Sequence, residues 1–206
     1  MPVDLKALLD PARTAVLVME CQQGVIGGGA GTFGALGEAV ERHGVVPAIA
    51  RLLKAARAAK VPVFYLNASR RADSGGSTAN CLLLALGRKG EPLVPGSKRH
   101  SVVDALAPLE SDFVINRFHG VTPFHGTELD SILRNLGVRT VVAVGVSVNV
   151  GITGLTIEAV NDGYQVILPR DAVAGTPDEY VEAVFQNTLR LLATVTRTDE
   201  VIAAWS

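Results

Sequence analysis

The sequence predicts an α/β fold of three layers: a mostly parallel six-stranded sheet with helices on both faces. Three observations carry that prediction. Short aliphatic runs, such as residues 14–19 and 141–144, lack polar alternation, as strands buried on both faces do. Stretches with apolar residues at helical spacing separate them. Strand and helix then alternate along nearly the whole chain, which favours crossover connections and parallel pairing. The 206 residues suit a single domain, 1–206.

The first strand, 14–19, follows Asp10-Pro11 and ends at Glu20, with Cys21-Gln22-Gln23-Gly24 after it. Ligands of open parallel sheets bind at the carboxyl ends of the strands. Glu20 therefore reads either as a general acid or base or as the strand's exit to solvent. Residues 27–31 read as a flexible glycine loop. Residues 35–60 carry a long helical pattern with Ile49, Leu52, Leu53 and Ala56 inward, broken near Gly44 and Pro47. The second strand is 61–66, with Pro62 tolerable at its start. Arg70, Arg71, Gly75-Gly76 and the 92–96 turn mark 67–98 as a long excursion at the carboxyl edge, with a helix around 78–86. Its arginines meet either an acidic ligand or solvent. A short element is expected within 102–109.

Residues 113–116 form a third strand. Its exit, Arg117-Phe118-His119-Gly120-Val121-Thr122-Pro123-Phe124-His125-Gly126, is dense in functional residue types. A cation there, facing Glu20, would pair with that carboxylate. His119 and His125 are either proton carriers near neutral pH or loop-packing residues. Thr127 caps a helix over 128–136, closed by Gly137. The fourth strand, 141–144, breaks at Gly145 and passes through Val146-Ser147-Val148-Asn149-Val150-Gly151 into a helix. Val150, Gly154, Leu155 and Ile157 point inward there and Glu158 outward. The start of this helix falls at the carboxyl edge, where free N–H groups and the helix dipole favour an anion or an oxygen gaining charge. A fifth strand spans 164–169. Thr176-Pro177-Asp178-Glu179 starts a helix to about residue 192, with Tyr180, Val184, Leu191 and Leu192 inward. A last strand at 193–196 and a helix over 198–205 complete the chain.

A formal charge of -1 without basic blocks weighs against nucleic acid as a partner. No apolar run approaches the ~18 residues that span a bilayer. No signal peptide is legible at the N-terminus. A cytoplasmic protein without a membrane partner is the expectation. Cys21 and Cys81 offer neither a disulfide framework nor zinc spacing. The first strand lacks the Gly-x-Gly-x-x-Gly turn of a dinucleotide binder.

Four stretches together resemble the isochorismatase-like hydrolases, also called cysteine hydrolases: AVLVMECQQGV (15–25), VTPFHGTELDSILRNLGVRTVV (121–142), GVSVNVGITGLTIEAVNDGYQV (145–166) and LPRDAVAG (168–175). The resemblance spans residues 14–198 and implies a Rossmann-like arrangement of the sheet. The family's usual triad is Asp, Lys and Cys. Here the Asp position holds Glu20 and the Cys position, six residues after Gly145, holds Gly151. The Lys position falls on Phe118 by ungapped counting, or on Arg117 with one residue inserted. Glycine has no side chain, so the thioester route is closed at Gly151. Cys21 should point away from the Glu20 side, into the core. True isochorismatases also carry glycine there and protonate a vinyl ether with the Asp. The resemblance thus implies a hydrolase of a small carboxylate-bearing molecule, of vinyl ether or amide type, without a cysteine nucleophile and without metal or other cofactor. Glu20 would be the acid or base, Arg117 would position it and His119 would assist. The Val150 and Gly151 amides would form an oxyanion hole beside a cis peptide between Val146 and Ser147. Gln23, Phe118, Val146, Ser147 and Val150 would contact substrate. A homodimer or homotetramer is expected. The alternative is an inactive relative that binds a small ligand or serves in assembly.

Overall fold

The computed structural model describes residues 4–28 and 34–206. Residues 29–31 of the glycine loop lie outside the described residues. The elements run α1 (Leu5–Leu8), β1 (Thr14–Met19), α2 (Gln23–Ile26), α3 (Gly34–Arg42), α4 (Val45–Ala58), β2 (Val63–Ala68), α5 (Leu82–Lys89), β3 (Phe113–Arg117) and α6 (Leu129–Asn135). They continue with β4 (Thr140–Val146), α7 (Thr153–Asn161), β5 (Gln165–Pro169), β6 (Val173–Ala174), α8 (Asp178–Val184), α9 (Arg190–Leu192), β7 (Thr194–Thr196) and α10 (Thr198–Ala204).

The sheet is parallel throughout, in the order β3-β2-β1-β4-β5-β7. Successive side chains of a strand point to opposite faces, and here both faces are covered. Val16 and Val18 enter one apolar cluster with α3, α4 and α10. Ala15, Leu17 and Met19 enter the other with α6, α7 and α8. The unbroken aliphatic runs follow from that arrangement, since neither face meets water. Val142 and Val144 against Val141 and Ala143 repeat the division on β4.

The sheet has seven strands rather than the expected six. β5 pairs with β4 only over Thr140–Val142, then turns away toward β7. The two-residue β6 takes its place beside Gly145 and Val146. A strand that short leaves no periodicity to read. Gly44, at φ 62°, separates α3 from α4 as expected, but Pro47 breaks nothing. It sits in the first turn of α4, where no N–H is needed.

Helix faces differ from the expectation in two places. On α7 the buried residues are Leu155, Thr156 and Ala159, and Ile157 is exposed. The preceding π-helical turn, Val148–Ile152, shifts the phase. On α8 and its continuation Val184, Phe185 and Leu189 are buried, whereas Tyr180 and Leu191 are exposed. A second π-helical turn, Phe185–Leu189, turns that face. The helix expected at 78–86 is α5, beginning four residues later, and none of its residues is buried. Without a packed face, its limits leave little trace in the pattern.

Candidate active site

The carboxyl ends of β1, β2, β3 and β4 meet at a cavity of about 220 Å³. Glu20 stands directly after β1. Its N–H donates to the Leu66 carbonyl (3.1 Å), extending the ladder by one residue, and its backbone then turns to φ 50°. Arg117 is the last residue of β3, with β2 between it and β1. Its register partner on β2 is Ala68, whose methyl leaves room for the long side chain to cross. Arg117 Nη2 donates to Glu20 Oε1 at 2.5 Å, with the two side chains 8% and 19% exposed. Arg117 Nε and Nη1 are buried without a partner among the described residues. Arg117, not Phe118, therefore faces the carboxylate; Phe118 is exposed and lines the cavity. His119 also lines it, exposed, with its ring 6.0 Å from that of His125.

The turn after β4 forms the neighbouring wall with Ser147, Val150 and Gly151. The Val146–Ser147 peptide is cis, as the resemblance implied. The Val150 N–H donates to the Ser147 carbonyl at 3.3 Å and the Ile152 N–H to the same oxygen at 2.9 Å. Val146 itself is fully buried in the core and does not contact the cavity, contrary to its expected substrate role. Its side chain points toward α4 because it alternates with Gly145 on the strand.

Gln23 is likewise corrected. It starts α2, lies outside the cavity wall and donates weakly to Asp104 Oδ1 (3.4 Å). The buried neighbour Gln22 does more. Its Nε2 donates to the carbonyls of Ala68 and His100, each at 3.0 Å, and its Oε1 accepts from the Ala68 N–H at 2.8 Å. Cys21 is in the core, and burial, then the charge of Glu20, pushes its thiol up to about 12.

The excursion after β2 closes the cavity from above. Leu83, Leu84 and Leu93 line it, as do Arg70, Arg88, Arg99 and Glu91. Arg70 donates to the Gly87 and Gly90 carbonyls at 2.8 and 2.6 Å and so holds the end of α5. Sequence reasoning placed this segment at the right edge but did not single out Gln22, Ser69, His100 or Asn116. Their signal was faint: a polar Asn67-Ala68-Ser69 exit from an apolar strand. Among the described residues no three His, Cys, Asp or Glu side chains gather as metal ligands, and no helix is long and apolar enough to cross a membrane.

An all-parallel sheet whose strand ends converge on a largely buried ion pair defines a small-molecule pocket of the doubly wound class. Residues 14–200 match the family model described as the Isochorismatase domain, and the chain belongs to the isochorismatase-like hydrolase family. It is 33% identical over 180 residues to the ureidoacrylate amidohydrolase RutB of Methylobacterium radiotolerans, covering 80% of this chain and 68% of that protein. The N-carbamoylsarcosine amidase of an Arthrobacter species is 28% identical over 130 residues, 63% of this chain and 49% of the relative. Among solved structures, a cysteine hydrolase from Pseudomonas syringae pv. phaseolicola superposes with a TM-score of 0.80 at 28% identity, covering 95% of this chain and 93% of that one.

Proposed function

We propose that this protein hydrolyses an amide-type bond in a small carboxylate-bearing molecule, without a cysteine nucleophile. The observation that carries this reading is the enclosed Glu20–Arg117 ion pair beside Gly151. A carboxylate held by a guanidinium accepts a proton from water and delivers hydroxide to a carbonyl carbon. Protonating a vinyl ether needs the opposite form of Glu20, so the amide route fits the ion pair better. The names of the ureidoacrylate amidohydrolase and N-carbamoylsarcosine amidase relatives point the same way. Arg117 cannot give up its proton at neutral pH; it orients Glu20. The Gly151 amide, with that of Val150 once it leaves the Ser147 carbonyl, would stabilise the oxyanion. His119 at the cavity mouth would carry protons to and from solvent. Four arginines against Glu20 and Glu91 give the wall an excess of positive charge that suits a carboxylate substrate. A cytoplasmic homodimer or homotetramer is part of the same reading, and light scattering on the purified chain reports its size.

The test measures ammonia release from a panel of N-carbamoyl and primary amide carboxylates, alongside the thermal shift each compound gives. The wild type is expected to turn over at least one of them. Glu20→Gln is expected to lose turnover by ~10²-fold or more while keeping the thermal shift. Stabilisation of the wild type by these compounds with no turnover of any would overturn the hydrolase reading in favour of a binding protein.

A further inference from the structure

Gly151 leaves the pocket without the usual nucleophile, yet a second activated side chain stands at the same sheet edge. Ser69 follows β2 directly and lines the cavity. Its Oγ lies 2.9 Å from His100 Nε2, with both residues buried. With the neutral ring carrying its proton on Nδ1, Nε2 accepts the hydroxyl proton. Asn116 Oδ1 competes for that proton at 3.3 Å, a longer and weaker bond, so His100 is the better acceptor. Burial pushes His100 below the usual imidazole range, opposed by a hydrogen bond to Asn116, and so favours the neutral ring, whose free nitrogen can accept a proton.

The dyad is also held in place. The Ser69 N–H donates to the Arg117 carbonyl at 2.8 Å, which fixes Ser69 beside the residue that holds Glu20. Gln22, two residues after Glu20, clamps Ala68 by accepting from its N–H and donating to its carbonyl, and ties the His100 backbone into the same clamp by donating to that residue's carbonyl. The His100 N–H donates to the Ser97 carbonyl at 3.1 Å. A nucleophile and a base within hydrogen-bond reach, each fixed by its own backbone contacts, are the signature of an activated hydroxyl.

We propose that Ser69 is the nucleophile of this pocket, with His100 Nε2 as its base. The proposal rests on the hydrolase reading above and adds one covalent step to it. Ser69 Oγ bonds to the carbonyl carbon of the amide while its proton passes to His100 Nε2. The tetrahedral adduct collapses, the C–N bond breaks, and the amine leaves with the proton from His100. The acyl group is now an ester of Ser69. Water attacks that ester, giving a proton to Glu20. The C–O bond to Ser69 breaks, and the departing oxygen regains the proton, leaving the free acid.

The experiment uses diisopropyl fluorophosphate on the intact protein, read by mass spectrometry with peptide mapping. One adduct is expected, on Ser69, and Ser69→Ala should abolish it; the Ser69 backbone bond to Arg117 is independent of the side chain, so the fold should survive. His100→Gln, whose backbone carbonyl still accepts from Gln22, should slow labelling by ~10²-fold or more. Circular dichroism of both variants checks the fold. Glu20→Gln should still be labelled at Ser69, which separates this inference from the role of Glu20 in hydrolysis. No adduct, an adduct on Ser147 instead, or full amide turnover by Ser69→Ala would each overturn it, the last while leaving the hydrolase reading intact.

Discussion

A β-carbon at Gly151 would lie 2.9 Å from the Val146 carbonyl oxygen and 3.2 Å from Met19 Cε. The nearest obstacle is backbone, so a side chain enters this position only if the turn shifts. Overpacking of this kind costs about 1–3 kcal/mol, and Gly151→Cys should lower Tm by roughly 2–12 °C in a chain of this size. A calorimetric scan with an unchanged Tm would show that the turn opens freely. The two native thiols should divide cleanly. Cys81 is exposed and should react with a thiol reagent at once; Cys21 is buried, with its thiol held protonated, and should react only on unfolding. At this scale Glu20 and Arg117 were legible because each stands at a strand exit, and Gly151 through the resemblance to the family's motif. Ser69 and His100 were not legible. They are 31 residues apart, and what joins them is the path of an irregular excursion.

Glu158 was expected to face outward from α7 and instead grips the loop that carries Phe118 and His119. Its Oε1 accepts from Thr122 Oγ1 at 2.7 Å and its Oε2 from the Phe124 N–H at 3.3 Å. A charged acceptor alone on a helix looks solvated; only the fold reveals that a loop from β3 passes over it. Hydrogen bonds to charged groups contribute about 1.5–3 kcal/mol when desolvated, and this half-buried pair belongs at the lower end. Glu158→Ala should lower the urea midpoint by the equivalent of about 1–2 kcal/mol, and Glu158→Gln by less, since the amide oxygen still accepts from Thr122. Equal midpoints for all three proteins would show that the loop holds itself. The strands were read within a few residues because burial on both faces leaves continuous runs. The helix faces were read less well wherever a π-helical turn inserts an extra residue and moves the phase, as before α7 and within the α8 segment. At Gly145, φ 105° and the Met19 carbonyl oxygen, against which any added β-carbon would clash, explain why β4 ends its aliphatic run on glycine.

For the molecule as a whole, the ionisable groups set a stability dome in pH. Asp178 is held below the usual carboxylate range by hydrogen bonds from His43 and then Arg42, tying α8 to the end of α3. Asp130 is held down by Arg134, Glu182 by Gln186 and then Arg170, and Glu200 by Thr196 and then the Arg197 N–H. A lowered carboxylate stabilises the fold above its unfolded value and loses that contribution as pH falls through the folded one. His100, lowered by burial, acts in the same direction, since the unfolded chain binds its proton first. On the alkaline side Tyr65 is pushed up to about 12 by burial. Its hydroxyl donates to the Leu106 carbonyl at 2.6 Å and accepts from Arg57, so the folded chain keeps a proton that the unfolded chain releases near 10. Stability should therefore fall on acidification below the imidazole range and again above pH 10. Trp205, the one tryptophan, donates to the Leu9 carbonyl at 2.9 Å and joins α10 to the start of the chain. Its fluorescence reports that seam, whereas circular dichroism reports the sheet and helices together. If the ionisations act on one cooperative unit, the two probes will give the same midpoint at every pH. Tyr65→Phe should lower Tm at neutral pH, by stranding the Leu106 carbonyl, and flatten the alkaline decline. An unchanged alkaline slope would assign that decline to other groups, Tyr164 foremost, whose hydroxyl burial and Asp130 also hold protonated.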